Sequence, residues 1–174
     1  MWKNLLLLVL SLGSIVLGLG WLLPGEISES AELIISGDPA WGFEQVQDLE
    51  SWTQWSHISL AVDADCSFET VHDTGAGQLL RFNGPIVGLG ILELTLFAYP
   101  VELAYEQLNN MGEVTARGSL RFEELSGATR VVHEEERPVP PGPWARYRAQ
   151  SRGKRQLRED LQARLSRLEA HLNH

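Results

Sequence analysis

The chain is poor in cysteine and in positive charge. Cys66 is its single cysteine, so no internal disulfide can form and no paired metal-ligand spacing exists. Its 14 Lys and Arg stand against 23 Asp and Glu, a formal net charge of −9. So acidic a chain lacks the basic footprint of a nucleic-acid binder, and nucleic acid is excluded as an expected partner. GxSxG, P-loop, GxGxxG and HExxH motifs are also missing, and no nucleophile–base arrangement is present. Gly88-Leu89-Gly90 is only a glycine pair. His57, His72, His133, His171 and His174 are scattered and form no ligand set with Cys66. The sequence therefore gives no ground to assign catalytic residues, a cofactor or a metal.

What is present starts with an uncharged run over residues 5–23. At about 1.5 Å per residue it reaches about 28 Å, close to the roughly 30 Å of a hydrocarbon core. Trp2 and Trp21 flank it, as interfacial aromatics do, and Pro24-Gly25 ends it. The expectation is a transmembrane anchor over 1–25 and one domain over 26–174. A cleaved signal peptide is the rival, but its apolar region is usually about 7–15 residues and is followed by a small-residue site. Trp21-Leu22-Leu23-Pro24 offers no such site, so a retained single-pass span is expected. Lys3 then places the N-terminus in the cytoplasm and the domain on the non-cytoplasmic side.

Charge is also unevenly divided. From Trp144 onward there are eight basic residues against three acidic ones, so that segment is +5 and the remainder −14. Arginines on this segment either touch anionic head groups or, as more ordinary solvated residues, offset the acidic sheet.

Along the domain, Ile27–Ser36 reads as a first strand. Asp38 is placed as an N-cap with Pro39 at the first helical position, and Asp48 opens a second short helix or turn. Strands follow at 78–82, 91–98 and 101–106, with Tyr99-Pro100 as a break. Val114, Ala116, Gly118, Leu120 and Phe122 alternate with polar residues, which predicts a half-buried strand. Ser126-Gly127 turns the chain into an antiparallel return over 128–136. Pro138, Pro140, Pro141 and Pro143 make a stiff loop. Leu157, Leu161, Leu165, Leu168 and Leu172 then recur at helical spacing, one apolar stripe on a long helix. Gly153 predicts a kink or a close approach near its start.

The fold class is therefore α+β. Asp38-Pro39-Ala40-Trp41, the segment from Asp48 to Trp55, Gly88-Leu89-Gly90, Tyr99-Pro100 before Ala104-Tyr105, and the 127–131 hairpin return together resemble the SRPBCC superfamily. The resemblance is to its polyketide cyclase/dehydrase-like, START-like branch. It implies a helix-grip fold: a curved antiparallel sheet wrapped around a long C-terminal helix, with two short helices after the first strand. It also implies an apolar cavity between sheet and helix. Matching positions put Val131 and His133 on one face of a late strand, and many relatives carry an aromatic where this chain has His133.

The cavity candidates are Trp52, Trp55, Phe82, Leu103, Tyr105, Phe122, Val131 and His133. Trp52 and Trp55 either cap a ligand or lock a helix to the sheet. Tyr105 alternates with Leu103 and Val101, so its hydroxyl points inward and needs a partner or a ligand. Glu135 in the same region is either solvent-facing or, if buried, costly unless paired. His133 is either a packed strand residue or a titrating group that orients a ligand. The leading expectation is a membrane-anchored module binding a lipid or other hydrophobic small molecule. An acid–base enzyme using His133 and Tyr105 is the second expectation, and a protein-interaction module of the cell envelope the third.

Overall fold

A computed structural model describes residues 2–71 and 75–173, except for the side chains of residues 5, 8 and 9. His72 and His174 lie outside the described residues. After helix α1 (Trp2–Leu22), strand β1 spans Glu26–Ser36. Asp38 then caps helix α2 (Pro39–Val46) by accepting from the Trp41 backbone N–H at 2.8 Å, with Pro39 at the start of the helix. The buried face of α2 is Gly42, Phe43 and Val46, which leaves Trp41 at its margin. A single turn, α3 (Trp52–Trp55), follows. Gln78 ties this region to the sheet, accepting from Leu49 N at 2.9 Å and donating to Asp48 at 2.8 Å.

The remaining strands are β2 (Ser67–Val71), β3 (Leu79–Gly84), β4 (Gly88–Ala98), β5 (Glu102–Asn109), β6 (Val114–Leu125) and β7 (Ala128–Pro138). They form one antiparallel sheet in the order β1-β7-β6-β5-β4-β3-β2. Register shifts interrupt β4 between Leu94 and Leu96, and β5 between Gln107 and Leu108. Irregularities of this kind bend and twist a sheet locally. Helix α4 (Pro143–Arg148) leads through a π-helical turn (Ala149–Gly153) into α5 (Lys154–Leu172). The Gly153 expectation is met twice over. The helix is irregular there, and a Cβ on Gly153 would lie 3.3 Å from Ile27. Leu157, Leu161, Leu165 and Leu168 of α5 are buried against the sheet, and Arg158 pairs with Glu29 of β1 at 2.6 Å. This is the helix-grip arrangement, with two short helices after the first strand as expected.

The membrane expectation is overturned. Among the described residues, no helix is long and apolar enough to cross a membrane. The end of α1 instead docks on α4. Arg146 donates to the carbonyls of Trp21 and Leu23 at 2.6 and 2.9 Å, and Tyr147 donates to that of Val16 at 2.7 Å. Gly20 permits this approach, since a Cβ there would fall 2.5 Å from Pro143.

Candidate functional site

Side chains of β5, β6 and β7 meet in rows across the concave face. Tyr105 pairs with Gly118, and Gly118 with Glu135. One step along, Leu103 pairs with Leu120, and Leu120 with His133. Strand alternation turns Val131, His133 and Glu135 to the same side, and all three are buried. Gly118 decides what happens next. A Cβ at that position would stand 2.5 Å from the Tyr105 ring, so only glycine lets the ring lie across β6 and reach β7.

At the end of that reach the Tyr105 hydroxyl lies 2.6 Å from Glu135 Oε2 and 2.9 Å from His133 Nε2. Glu135 is 1% exposed and is held by two arginines. Arg164 of α5, itself 2% exposed, donates through Nη1 to Oε2 and through Nη2 to Oε1, and Arg137 Nε donates to Oε1 at 2.8 Å. Burial pushes the Glu135 carboxyl upward, but the Arg164 and Arg137 charges outweigh it and hold the group well below the usual carboxylate range. Glu135 is thus ionised and can only accept. Tyr105 therefore donates to it, and its oxygen accepts from His133. That places the His133 proton on Nε2 and leaves Nδ1 as a buried acceptor without a partner.

Burial, followed by the charge of Arg164, lowers His133 to about 3, so the imidazole is neutral across ordinary pH. Burial, then the nearby carboxylate, raises Tyr105 well above its ordinary value. Both groups are locked in one protonation state.

Above this network the sheet–helix junction opens into a pocket of about 350 Å³ lined by His57, Val62, Arg137, Asp160, Ala163, Arg164 and Arg167. The chain after α3 forms one wall, the end of β7 the second, and α5 the third. His57 is fixed by its Nε2 contact of 2.7 Å with Gln107 Oε1. Since that oxygen only accepts, the His57 proton sits on Nε2. Burial and Arg164 keep this ring well below its ordinary value too. Arg167 donates to the carbonyls of Trp55 and Ser56 at 2.9 and 3.3 Å, closing the C-terminal end of α3. Arg137 bridges back to Asp160 at 3.5 Å.

The eight cavity candidates are all buried. The fold brings Trp52, Trp55, Tyr105 and His133 together, with ring centroids 4.8 Å apart for the tryptophans, 5.1 Å for Trp52–Tyr105 and 6.0 Å for Tyr105–His133. Leu103 and Val131 pack in the same core. Phe122 lies instead against Phe43 at 5.6 Å, and Phe82 packs over Gly90 near the far hairpin. These side chains belong to one buried core with the leucines of α5. Trp52 also donates from Nε1 to the Val46 carbonyl at 2.8 Å, which makes it a brace between α2 and α3.

Sequence reasoning missed Arg164, Arg137, Gln107 and Arg167. Arg164 had a signal: it lies seven residues after Leu157 and four before Leu168, on the buried stripe itself. Gln107 had none. Among the described residues, no group of His, Cys, Asp and Glu is arranged to hold a metal ion.

No family model matches the chain, and no curated protein matches it. Solved structures do. A Staphylococcus epidermidis protein determined by solution NMR superposes with a TM-score of 0.57 at 20% identity, covering 86% of this chain and 90% of its own. DynU16, a putative protein of the dynemicin biosynthetic locus, gives a TM-score of 0.59 at 13% identity, covering 84% of this chain and 47% of its own. The di-domain ARO/CYC StfQ of the steffimycin biosynthetic pathway gives 0.59 at 10% identity, covering 83% and 50%. At these identities the likeness is one of fold.

Proposed function

We propose that this helix-grip domain binds a small molecule, and that the ligand sits in the mouth between the chain after α3, the end of β7 and α5. The observation that carries this reading is the 350 Å³ pocket at that junction, floored by the buried Arg164–Glu135 pair. Its volume falls at the lower end of the range for ligand sites, roughly 300–1,000 Å³. Its lining is mostly polar, with His57, Arg137, Asp160, Arg164 and Arg167 beside two small apolar walls, Val62 and Ala163, so it suits a polar ligand with a small apolar part. The fold shared with DynU16 and the ARO/CYC protein StfQ is consistent with a small-molecule role but assigns none. The apolar interior first expected to hold a lipid is occupied by Trp52, Trp55 and the α5 leucines, so the mouth is the better candidate.

A fragment titration of the ¹⁵N-labelled full chain, followed by amide shifts, tests this. The expected result is a set of perturbations confined to residues 56–63, 135–137 and 160–167. Perturbations centred on the outer face of β2 and β3, or none at millimolar fragment, contradict it.

One observation favours a second reading, acid–base catalysis: Tyr105 and His133 do converge, within 2.9 Å of each other. Both are 1% exposed and neither lines the mouth, so catalysis requires an opening that brings substrate to them. Loss of turnover in Tyr105→Phe, with ligand binding at the mouth intact, is the outcome this second reading requires.

A further inference from the structure

We infer that the mouth recognises a small organic carboxylate, with Arg167 supplying the charge that receives it. This rests on the small-molecule reading above and adds the ligand's chemical class. The charges facing the pocket do not balance. Arg137, Arg164 and Arg167 contribute three positive charges, whereas Glu135 beneath the pocket and Asp160 on its wall contribute two negative ones. His57, the remaining titratable group in the lining, is neutral. Arg164 and Arg137 are spent on Glu135, and Arg137 also reaches Asp160. Arg167 spends its bonds on two neutral carbonyls, those of Trp55 and Ser56, so its charge is oriented and, among the described residues, meets no direct ion pair.

A second observation points the same way. Arg164 is 2% exposed and lines the pocket, yet its Nε–H has no hydrogen-bond partner. A buried donor without an acceptor is unfavourable, so the Arg164 guanidinium adds unmatched donor capacity next to the pocket. A carboxylate suits a guanidinium because its two oxygens match the planar array of N–H groups. Val62 and Ala163 give the ligand's carbon skeleton an apolar wall, and about 350 Å³ accommodates a benzoate-sized or short-chain acid.

The test is calorimetric titration of the full chain with matched pairs, benzoate against benzamide and hexanoate against hexanamide. Each pair shares its skeleton and differs in charge. The expected result is that each carboxylate binds at least about tenfold more tightly than its amide, a difference of about 1.4 kcal/mol. Arg167→Gln abolishes the acid-over-amide affinity ratio, while Arg167→Lys keeps a preference for the acid. Asp160→Asn, on a residue whose side chain is 42% exposed, raises the acid-over-amide affinity ratio. Should amide and acid bind equally at the mouth, the carboxylate inference is overturned and the small-molecule reading stands. Should neither member of either pair bind, both are overturned.

Discussion

Glu135 carries a charge inside the protein, and two arginines decide that it stays there. An isolated buried carboxylate would take up a proton to escape its desolvation cost. With Arg164 and Arg137 on its oxygens and Tyr105 donating as well, it remains a carboxylate. A pair of this kind adds little net stability, because both ions lose their hydration. Its removal from one side only is another matter. Glu135→Leu alone leaves Arg164 buried without its ion pair and is expected to cost about 3–5 kcal/mol in chemical denaturation, whereas Arg164→Met, which leaves Glu135 paired with Arg137, costs less. The double substitution leaves two apolar groups of similar size and is expected to recover most of that loss. Additive losses in the double variant would mean that the two side chains do not meet. The family resemblance placed Val131 and His133 on one face of the strand, and Glu135 shares that face at the same period of two. That Glu135 was buried rather than solvent-facing was not legible. The deciding partner, Arg164, belongs to a helix far along the chain, and it reads as one of many solvated arginines until its place on the leucine stripe is counted.

Elements with strong local signals were legible, and those set by neighbours were not. The Asp38-Pro39 helix start, the alternation in β6 and the leucine repeat of α5 each follow from residues close in sequence. Strand β2 escaped notice because Ser67–Val71 lies at the sheet edge, partly exposed on both faces, and so lacks an apolar alternation. Helix α4 escaped notice because Pro143 reads as the end of a proline loop, whereas it is the first residue of the helix. Helix α1 formed where the apolar run predicted a helix, but its end is a docked element: Arg146 satisfies two terminal carbonyls that no residue within α1 can pair. Arg146→Ala should therefore loosen the α1–α4 contact. Hydrogen exchange at residues 17–23 is expected to accelerate about tenfold, equivalent to about 1.4 kcal/mol of local opening, with β6 and β7 unaffected. Unchanged exchange at 17–23 would show that the arginine does not hold the helix end.

At the scale of the whole molecule, a grip of sheet on helix was expected to enclose a hollow. Here Trp52, Trp55 and a charged network pack together on the inner side of the sheet, and a pocket opens where the end of β7 meets α5. The reason is chemical. A histidine and a glutamate stand on a face where apolar residues would leave a dry cavity, and these polar groups draw Tyr105 and Arg164 inward to pair with them. The arrangement also sets a pH dependence. His133 is held at about 3 in the fold against about 6.5 when free, so the stability its neutral form confers is complete above pH 6.5 and erodes as pH falls. Glu135, held below its free value, adds a further loss only as pH drops through the carboxylate range.

The measurement that tests this closure most directly is a long-range ¹H–¹⁵N spectrum of the His133 ring in the full chain, recorded from pH 8 down to pH 4. A sealed network predicts a neutral ring protonated on Nε2 throughout, with no midpoint in that interval. A titration midpoint near 6.5, or a proton on Nδ1, would mean that water reaches the ring and that the sheet and α5 enclose an open cavity.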